Sequence, residues 1–490
     1  MKKIICVLLV LFLLSGMLVA CNTNDKEESS SDESTEETGF HLEKKYWDTT
    51  ITFATHNLGN FSTAEIAPTE ITEEPVNDAF YERAQYMKET YGLNIEVVYF
   101  DTLNGAAKQV QDNITADVDD IQVLCSPILY SSQLGVAGDL YDLNELNDTY
   151  GYLDLEAEYW DRKAINDLTI AGSLYFVTGD IIVSDDESTW CVLFNKDLVE
   201  EYSLDNPYDL VNDNEWNIDK MYQLAKQTTT KNGDTLDFTA ETDDVFGLIT
   251  QTYDCFAMML SCEQPMVTND GEKIYLTGNS EKTIDVFTNI FNMMIDSDYV
   301  AVADFYGNYT QSYTWEKQIF ANGKALFMPY SISVVSDSII READIHYGIL
   351  PMPKADENQE NYSSSSTVYW SSFMSIPISN DEKLEATVYC LEAMAYYGYE
   401  HCTEEYYERT LKYKRFEDDE SMDMLDLIFR NRTYDLGAIF NFGDTGKGDG
   451  MLYFYTSLLG SKNNTFASSF EAKYDTFQAS IDDLMEQVNK

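Results

Sequence analysis

Apolar and polar residues alternate at Thr50-Ile51-Thr52-Phe53-Ala54, and this period of two predicts a strand. A stretch rich in Thr, Glu and Pro follows and ends at Pro75. Asn77 then reads as the cap of a helix in which Phe80, Ala84, Met87 and Tyr91 recur at helical spacing and which Gly92 closes. Residues 95–100 predict a second strand, 104–116 a helix and 121–125 a third strand. Strand and helix alternating in this rhythm predict a parallel sheet with helices on its faces. Ligands of such sheets lie beyond the C-terminal ends of the strands, which puts His56, Asn57 and the segment 126–130 at a candidate crevice.

Further along, 172–177 and 190–194 read as strands separated by an acidic turn, Asp185-Asp186-Glu187. An α/β section fills roughly 200–330 and ends in the apolar run 325–330. The segment 349–354 leads to a polar loop, and 370–377 reads as strand again. A last helix over 467–488 places Phe470, Tyr474, Phe477, Ile481 and Met485 on one face. No repeat of fixed period is visible, which argues against solenoids and propellers.

The N-terminus has a different character. Met1-Lys2-Lys3 precedes an unbroken apolar run over 4–14, then Ser15-Gly16 and Leu18-Val19-Ala20-Cys21. A membrane span needs about 20 apolar residues, so the shorter run reads as a secretory signal over 1–20. Leu18-Val19-Ala20-Cys21 also resembles a bacterial lipobox, which implies lipidation of Cys21 and a protein held at the outer face of the cell membrane. Residues 22–39 carry no aromatic residue but Ser, Thr, Asp and Glu in quantity, a composition for an extended tether that reaches the folded body near 46.

Charge narrows the function classes. The chain of 490 residues has 86 acidic and 31 basic side chains, a net charge of −55. With no cationic surplus to neutralise phosphates, nucleic acid is excluded as a partner. A hydrophobic content of 44% still supplies cores, and the length exceeds what a single core organises. Cys125, Cys191, Cys255, Cys262, Cys390 and Cys402 show neither CxxC nor zinc spacing, so no metal or cofactor is expected. Cys255 with Cys262 and Cys390 with Cys402 are the nearest pairs, though packing as free thiols is the reading preferred here.

Several segments together resemble the extracellular solute-binding lipoproteins of carbohydrate ABC importers, the relatives of maltose-binding protein. They are Gly138-Asp139-Leu140-Tyr141-Asp142-Leu143, Leu193-Phe194-Asn195-Lys196-Asp197-Leu198, Asn322-Gly323-Lys324-Ala325-Leu326-Phe327 and Ile349-Leu350-Pro351-Met352-Pro353-Lys354. Leu326 stands where that family usually has a small residue. The resemblance implies a type II periplasmic-binding-protein-like α/β fold. Lobe 1 would comprise 47–187 and 366–410, and lobe 2 188–365 and 411–490, with a carbohydrate in the cleft between them. It also implies crossings near 185–190 and 367–371, a hinge closure, a monomer without catalytic activity, and delivery of the ligand to a permease.

A sugar asks for flat aromatic rings against its C–H faces and carboxylates or amides for its hydroxyls. By position in the family, Tyr330, Tyr130, Trp370 and Tyr253 are the candidate rings, with Phe442 near the C-terminus. Asp185, Asp186, Glu187, His56 and Asn57 are the candidate polar groups. Tyr396-Tyr397 and Tyr406-Tyr407 resemble the paired tyrosines of ferric-ion binders but fall in Glu-rich helical stretches, where packing accounts for them. The run 444–450 lacks the ligand spacing of a calcium loop and reads as a turn. No G-x-S-x-G, H-E-x-x-H or P-loop appears, and four histidines leave few general bases for an enzyme. The competing readings are a binding protein for a peptide or anionic sugar, a surface glycan adhesin, and a glycoside-acting enzyme.

Overall fold

The computed structural model describes residues 40–58, 66–412, 416 and 418–489. The chain divides between His41 and Leu42, and the second unit, Leu42–Lys490, is compact. The signal sequence, Cys21 and the tether over 22–39 lie outside the described residues. Among the described residues no helix is long and apolar enough to cross a membrane.

The second unit carries strands β1 (Thr49–His56), β2 (Leu93–Phe100), β3 (Val123–Pro127), β4 (Trp190–Asn195), β5 (Phe246–Thr250), β6 (Val267–Asn269) and β7 (Ile274–Leu276). They are followed by β8 (Val300–Val302), β9 (Ala325–Ser331), β10 (Tyr347–Leu350), β11 (Ser364–Ser365), β12 (Ser372–Ser375) and β13 (Arg432–Thr433). One sheet runs β12-β3-β1-β2, with β1 parallel to both neighbours and β12 antiparallel to β3. A second runs β10-β4-β9-β5-β8, with β5 parallel to β8 and β9 and β4 antiparallel to its neighbours. Each sheet with its helices forms one lobe of a two-lobed α/β fold. Phe53, Ala54, Val123 and Leu124 fill the first core, and Leu193, Phe194, Leu248 and Phe327 the second, all essentially without exposure.

Three crossing segments lie side by side between the sheets. Thr189 pairs antiparallel with Ser366, and β11 runs parallel beside β13. Thr189 falls within the stretch 185–190 where a crossing was expected, and Ser366 adjoins the stretch 367–371. The third, through Arg432, has no signature in sequence spacing.

Local differences from the expected elements have physical causes. The helix Pro75–Tyr91 begins two residues before Asn77, because Pro at its first turn is preset in φ and has no N–H to leave unpaired. Asn77 instead donates its side-chain amide to the Glu70 carbonyl (2.9 Å). Residues 172–177 form no strand. Ala171 and Gly172 both take positive φ, which turns the chain so that Ile170 bonds Ser173, and Val177 only bridges to Met374. Asp185-Asp186-Glu187 is a helical turn, Ser184–Glu187, with Asp185 and Glu187 buried. On the final helix, Phe466–Val488, Leu484 is buried where Met485 was expected, and Tyr474 is half-buried. The six described cysteines are free and buried.

Candidate ligand-binding site

The second sheet supplies a platform of rings. Trp190 opens β4 and Tyr330 lies near the end of the adjacent β9. Their rings are parallel within 6° at a centroid distance of 6.2 Å. Tyr253 begins the helix Thr252–Ser261, which follows β5, and its ring is 5.0 Å from Trp190 and 5.9 Å from Tyr369. Tyr369 in turn neighbours Tyr453 and Tyr130. Tyr130 comes from the helix that follows β3, so rings from both sheets converge. Tyr130, Tyr253, Tyr330, Tyr369, Trp370 and Tyr453 are each half-buried, with part of their surface left open.

A capping box positions this platform. Asp254 accepts from the Gln251 backbone N–H (2.8 Å), the Thr250 hydroxyl (2.6 Å) and the Trp190 indole Nε1–H (2.8 Å). The last bond fixes the indole by its edge. Burial pushes the Asp254 carboxyl up to about 7 in spite of these donors. Gln251 donates its side-chain amide to Oε2 of Glu316 (2.7 Å), on the helix Tyr309–Ala321. Glu316 is fully buried near Asp254 and Asp304, which together with its desolvation hold it well above the ordinary carboxyl range. Its Oε1 has no hydrogen-bond partner.

On the first sheet, His56 ends β1 and is fully buried. Its Nδ1 accepts from the Leu58 N–H (3.3 Å) while Nε2 has no partner, and burial lowers its pKa to about 4, so the imidazole is neutral. The buried hydroxyls of Thr55, Ser126, Ser371 and Ser372 along the same sheet also lack partners. Asn57 is exposed, its N–H bound to the Phe100 carbonyl (2.8 Å).

The remaining candidates lie elsewhere. Asp185 and Asp186 are held by the Arg432 guanidinium in the crossing region, and Glu187 is buried on the same helical turn. Phe442 is buried in a stack with Phe440 (5.6 Å, 19°). The structure thus brings Tyr130, Tyr253 and Tyr330 into one cluster, with Trp370 next to Tyr369. Spacing does not identify Trp190, Tyr453, Gln251 or Glu316, because only the folded chain brings these elements together.

Two other concavities or loops can be assessed by their chemistry. A cavity of about 410 Å³ lined by Asp167, Glu263, Asn269, Tyr434 and Asp435 has one aromatic ring and no stacking platform. In the loop 444–450, Oδ1 of Asp444 accepts the N–H groups of Gly446, Lys447 and Gly448, so inward-facing amides oppose a cation there. Among the described residues no group of three His, Cys, Asp or Glu could hold a metal ion. Tyr397 packs on Tyr86 (4.9 Å), and Tyr407 donates to Asp426 (2.6 Å).

Two lobes joined by crossing segments, with a ring-lined junction, define a solute-binding protein. The chain belongs to the bacterial extracellular solute-binding protein family, whose profile matches residues 64–387. Among solved structures, an ABC substrate-binding protein from Listeria monocytogenes in complex with cycloalternan is similar at a TM-score of 0.55 and 13% identity, covering 90% of this chain and 99% of its own. The GacH receptor of Streptomyces glaucescens, solved with acarbose, is similar at 0.55 and 13%, covering 88% and 98%. UgpB from Mycobacterium tuberculosis, solved with glycerophosphocholine, is similar at 0.56 and 15%, covering 89% and 99%. At such identities these likenesses carry the fold alone. Comparison with curated proteins finds no match.

Proposed function

We propose that the chain is the substrate-binding component of an ABC importer that reversibly binds a carbohydrate, foremost a neutral oligosaccharide, between its lobes and hands it to the permease. The observation that carries this reading is the cluster of half-buried rings, fixed from behind by Asp254 and facing the junction of the two sheets. Flat, rigid rings suit sugar faces because few rotors are frozen on binding. Structures of similar fold hold cycloalternan and acarbose, which agrees with this assignment. A lipid on Cys21 would hold the chain at the outer face of the membrane, with lobe boundaries at 187/188, 365/366 and 410/411. An anionic sugar is disfavoured because Asp254, Asp304 and Glu316 surround the platform and Lys317 is paired with Asp337.

A thermal-shift screen of the purified chain against plant, host and microbial oligosaccharides tests the reading. Ligand at about 100 times its Kd adds roughly 2.7 kcal/mol of stability. The bound sugar should be recovered chemically unchanged after long incubation. A flat screen would reject the carbohydrate reading, and cleaved product would make the protein an enzyme.

Tyr330→Ala should weaken binding of the identified sugar by at least about 1 kcal/mol, roughly fivefold, since it removes the outer ring of the Trp190 stack. Titration calorimetry on a variant with unchanged melting would show it. Unaltered affinity would take Tyr330 out of the site.

A further inference from the structure

We propose that the platform receives an ammonium group, so that the preferred carbohydrate is an oligosaccharide bearing an unacetylated amino sugar. This rests on the carbohydrate reading above and narrows it.

Three observations converge. The first is the ring cluster of Trp190, Tyr253, Tyr330 and Tyr369, whose π-faces carry negative potential and attract a cation when water is excluded. The second is the sign of the surrounding charge. Asp254 lies on the helix after β5, Asp304 in the turn after β8, and Glu316 on the helix Tyr309–Ala321; Asp337 follows β9. The cation beside them, Lys317, is already bound to Asp337. Four carboxyls stand there against one lysine, so an arriving cation meets groups that can ionise toward it and an arriving anion does not.

The third is the unpaired oxygen of Glu316. Its residue has no exposure, Oε2 takes the Gln251 amide, and Oε1 has no hydrogen-bond partner. Gln251 also neighbours the Tyr330 phenol, which links this carboxyl to the open rings. A buried carboxyl left in this condition is unfavourable, and a nearby positive charge relieves it. Burial and the neighbouring acids push the Glu316 carboxyl well above the ordinary range. An ammonium over the rings supplies the compensating charge and favours the ionised carboxylate, which a neutral sugar does not.

The test is titration calorimetry at pH 7, using the purified chain and ligand pairs that differ only at the amino position. β-1,4-linked oligomers of glucosamine, N-acetylglucosamine and glucose form one such set. Every sugar that hits in the thermal-shift screen is paired in the same way with its amino counterpart. The amine form should bind about tenfold tighter. Glu316→Gln keeps the acceptor for Gln251 and should bring that preference close to unity by weakening the amine form. Equal or tighter binding of the neutral forms, or a preference that survives Glu316→Gln, would overturn the ammonium assignment and leave the carbohydrate reading intact. Failure of every sugar, charged or neutral, would overturn both.

Discussion

Arg432→Met is expected to remove about 3–5 kcal/mol of stability, as breaking a buried ionic cluster from one side does. The guanidinium, 4% exposed, donates to Asp161 (2.9 Å) and Asp185 (2.7 Å) and also binds Asp186. The Tyr434 hydroxyl completes the group by donating to Asp161 (2.7 Å). One cation faces three carboxylates, with Asp180 also near, so burial and mutual repulsion already raise the pKa of Asp185 and Asp186. Met fills the volume of the arginine stem but leaves these carboxyls with no counter-charge. They would have to be protonated in the folded state, so the defect should be smallest near pH 5 and grow as pH rises. Asp186→Asn removes one surplus negative charge and keeps an acceptor, and should cost little. Denaturant unfolding of both variants at pH 5 and pH 8 makes the comparison. A loss below about 1 kcal/mol for Arg432→Met, independent of pH, would show that the cluster is neutralised without the guanidinium.

The parts of this molecule that were legible in the sequence are those set by local pattern. The alternation at 50–54 and the helical spacing of Phe80, Met87 and Tyr91 gave rise to β1 and the helix Pro75–Tyr91 in the places expected. Gly92, with φ of 66°, ends that helix in the left-handed conformation that a side chain would resist. What failed locally was the strand at 172–177, where Ala171 and Gly172 at positive φ override apolar content. Membership of the ring cluster was legible only where one residue sits at a fixed offset from a recognisable segment, as Tyr330 does at the end of β9 and Tyr130 after β3. Trp190 and Glu316 could not be found that way. Their roles come from pairing β4 with β9 and from the Gln251 amide reaching a helix 65 residues further along the chain. The acidic trio Asp185-Asp186-Glu187 shows the reverse failure. Three adjacent acids at a crossing suggest hydroxyl ligands, and nothing in their spacing announces that Arg432, 246 residues beyond Asp186, binds the second of them.

The same buried acids fix the sign of the pH dependence of the parent protein, which is expected to melt at a higher temperature at pH 5 than at pH 8. Asp180, Asp254 and Asp435 are each pushed from 3.8 to about 7, in every case chiefly by burial. An acid whose folded-state pKa lies above its unfolded value binds more protons folded than unfolded across the interval between the two. Its favourable contribution is therefore complete below about pH 4 and is lost as pH rises to about 7. One such group taken alone corresponds to at most about 4 kcal/mol over that window. Half of that already moves the melting temperature by a few degrees. Repulsion from the net charge of −55 acts in the same direction, because carboxylates throughout the chain ionise over the lower part of the window. The opposing groups are His56 and the carboxylates with lowered pKa. Burial lowers the pKa of His56 from 6.5 to about 4, so this group gains stability as pH rises between those values. The carboxylates are Glu385, paired with Lys45 and Tyr152, Asp418, bound by Lys196 and the Ser421 N–H against its own desolvation, and the surface Asp78, Asp270 and Asp449. They lose their contribution only as pH falls below about 4, outside the window, and the single histidine is outweighed by the three raised acids. Scanning calorimetry from pH 4.5 to 8.5 should thus show a net fall in melting temperature that levels off above about pH 7. In Asp180→Asn the slope should be shallower, because one of the groups that drive it no longer titrates. A melting temperature that rises with pH over this range would mean that these carboxyls are ionised in the folded protein throughout, Asp254 beneath the ring platform among them.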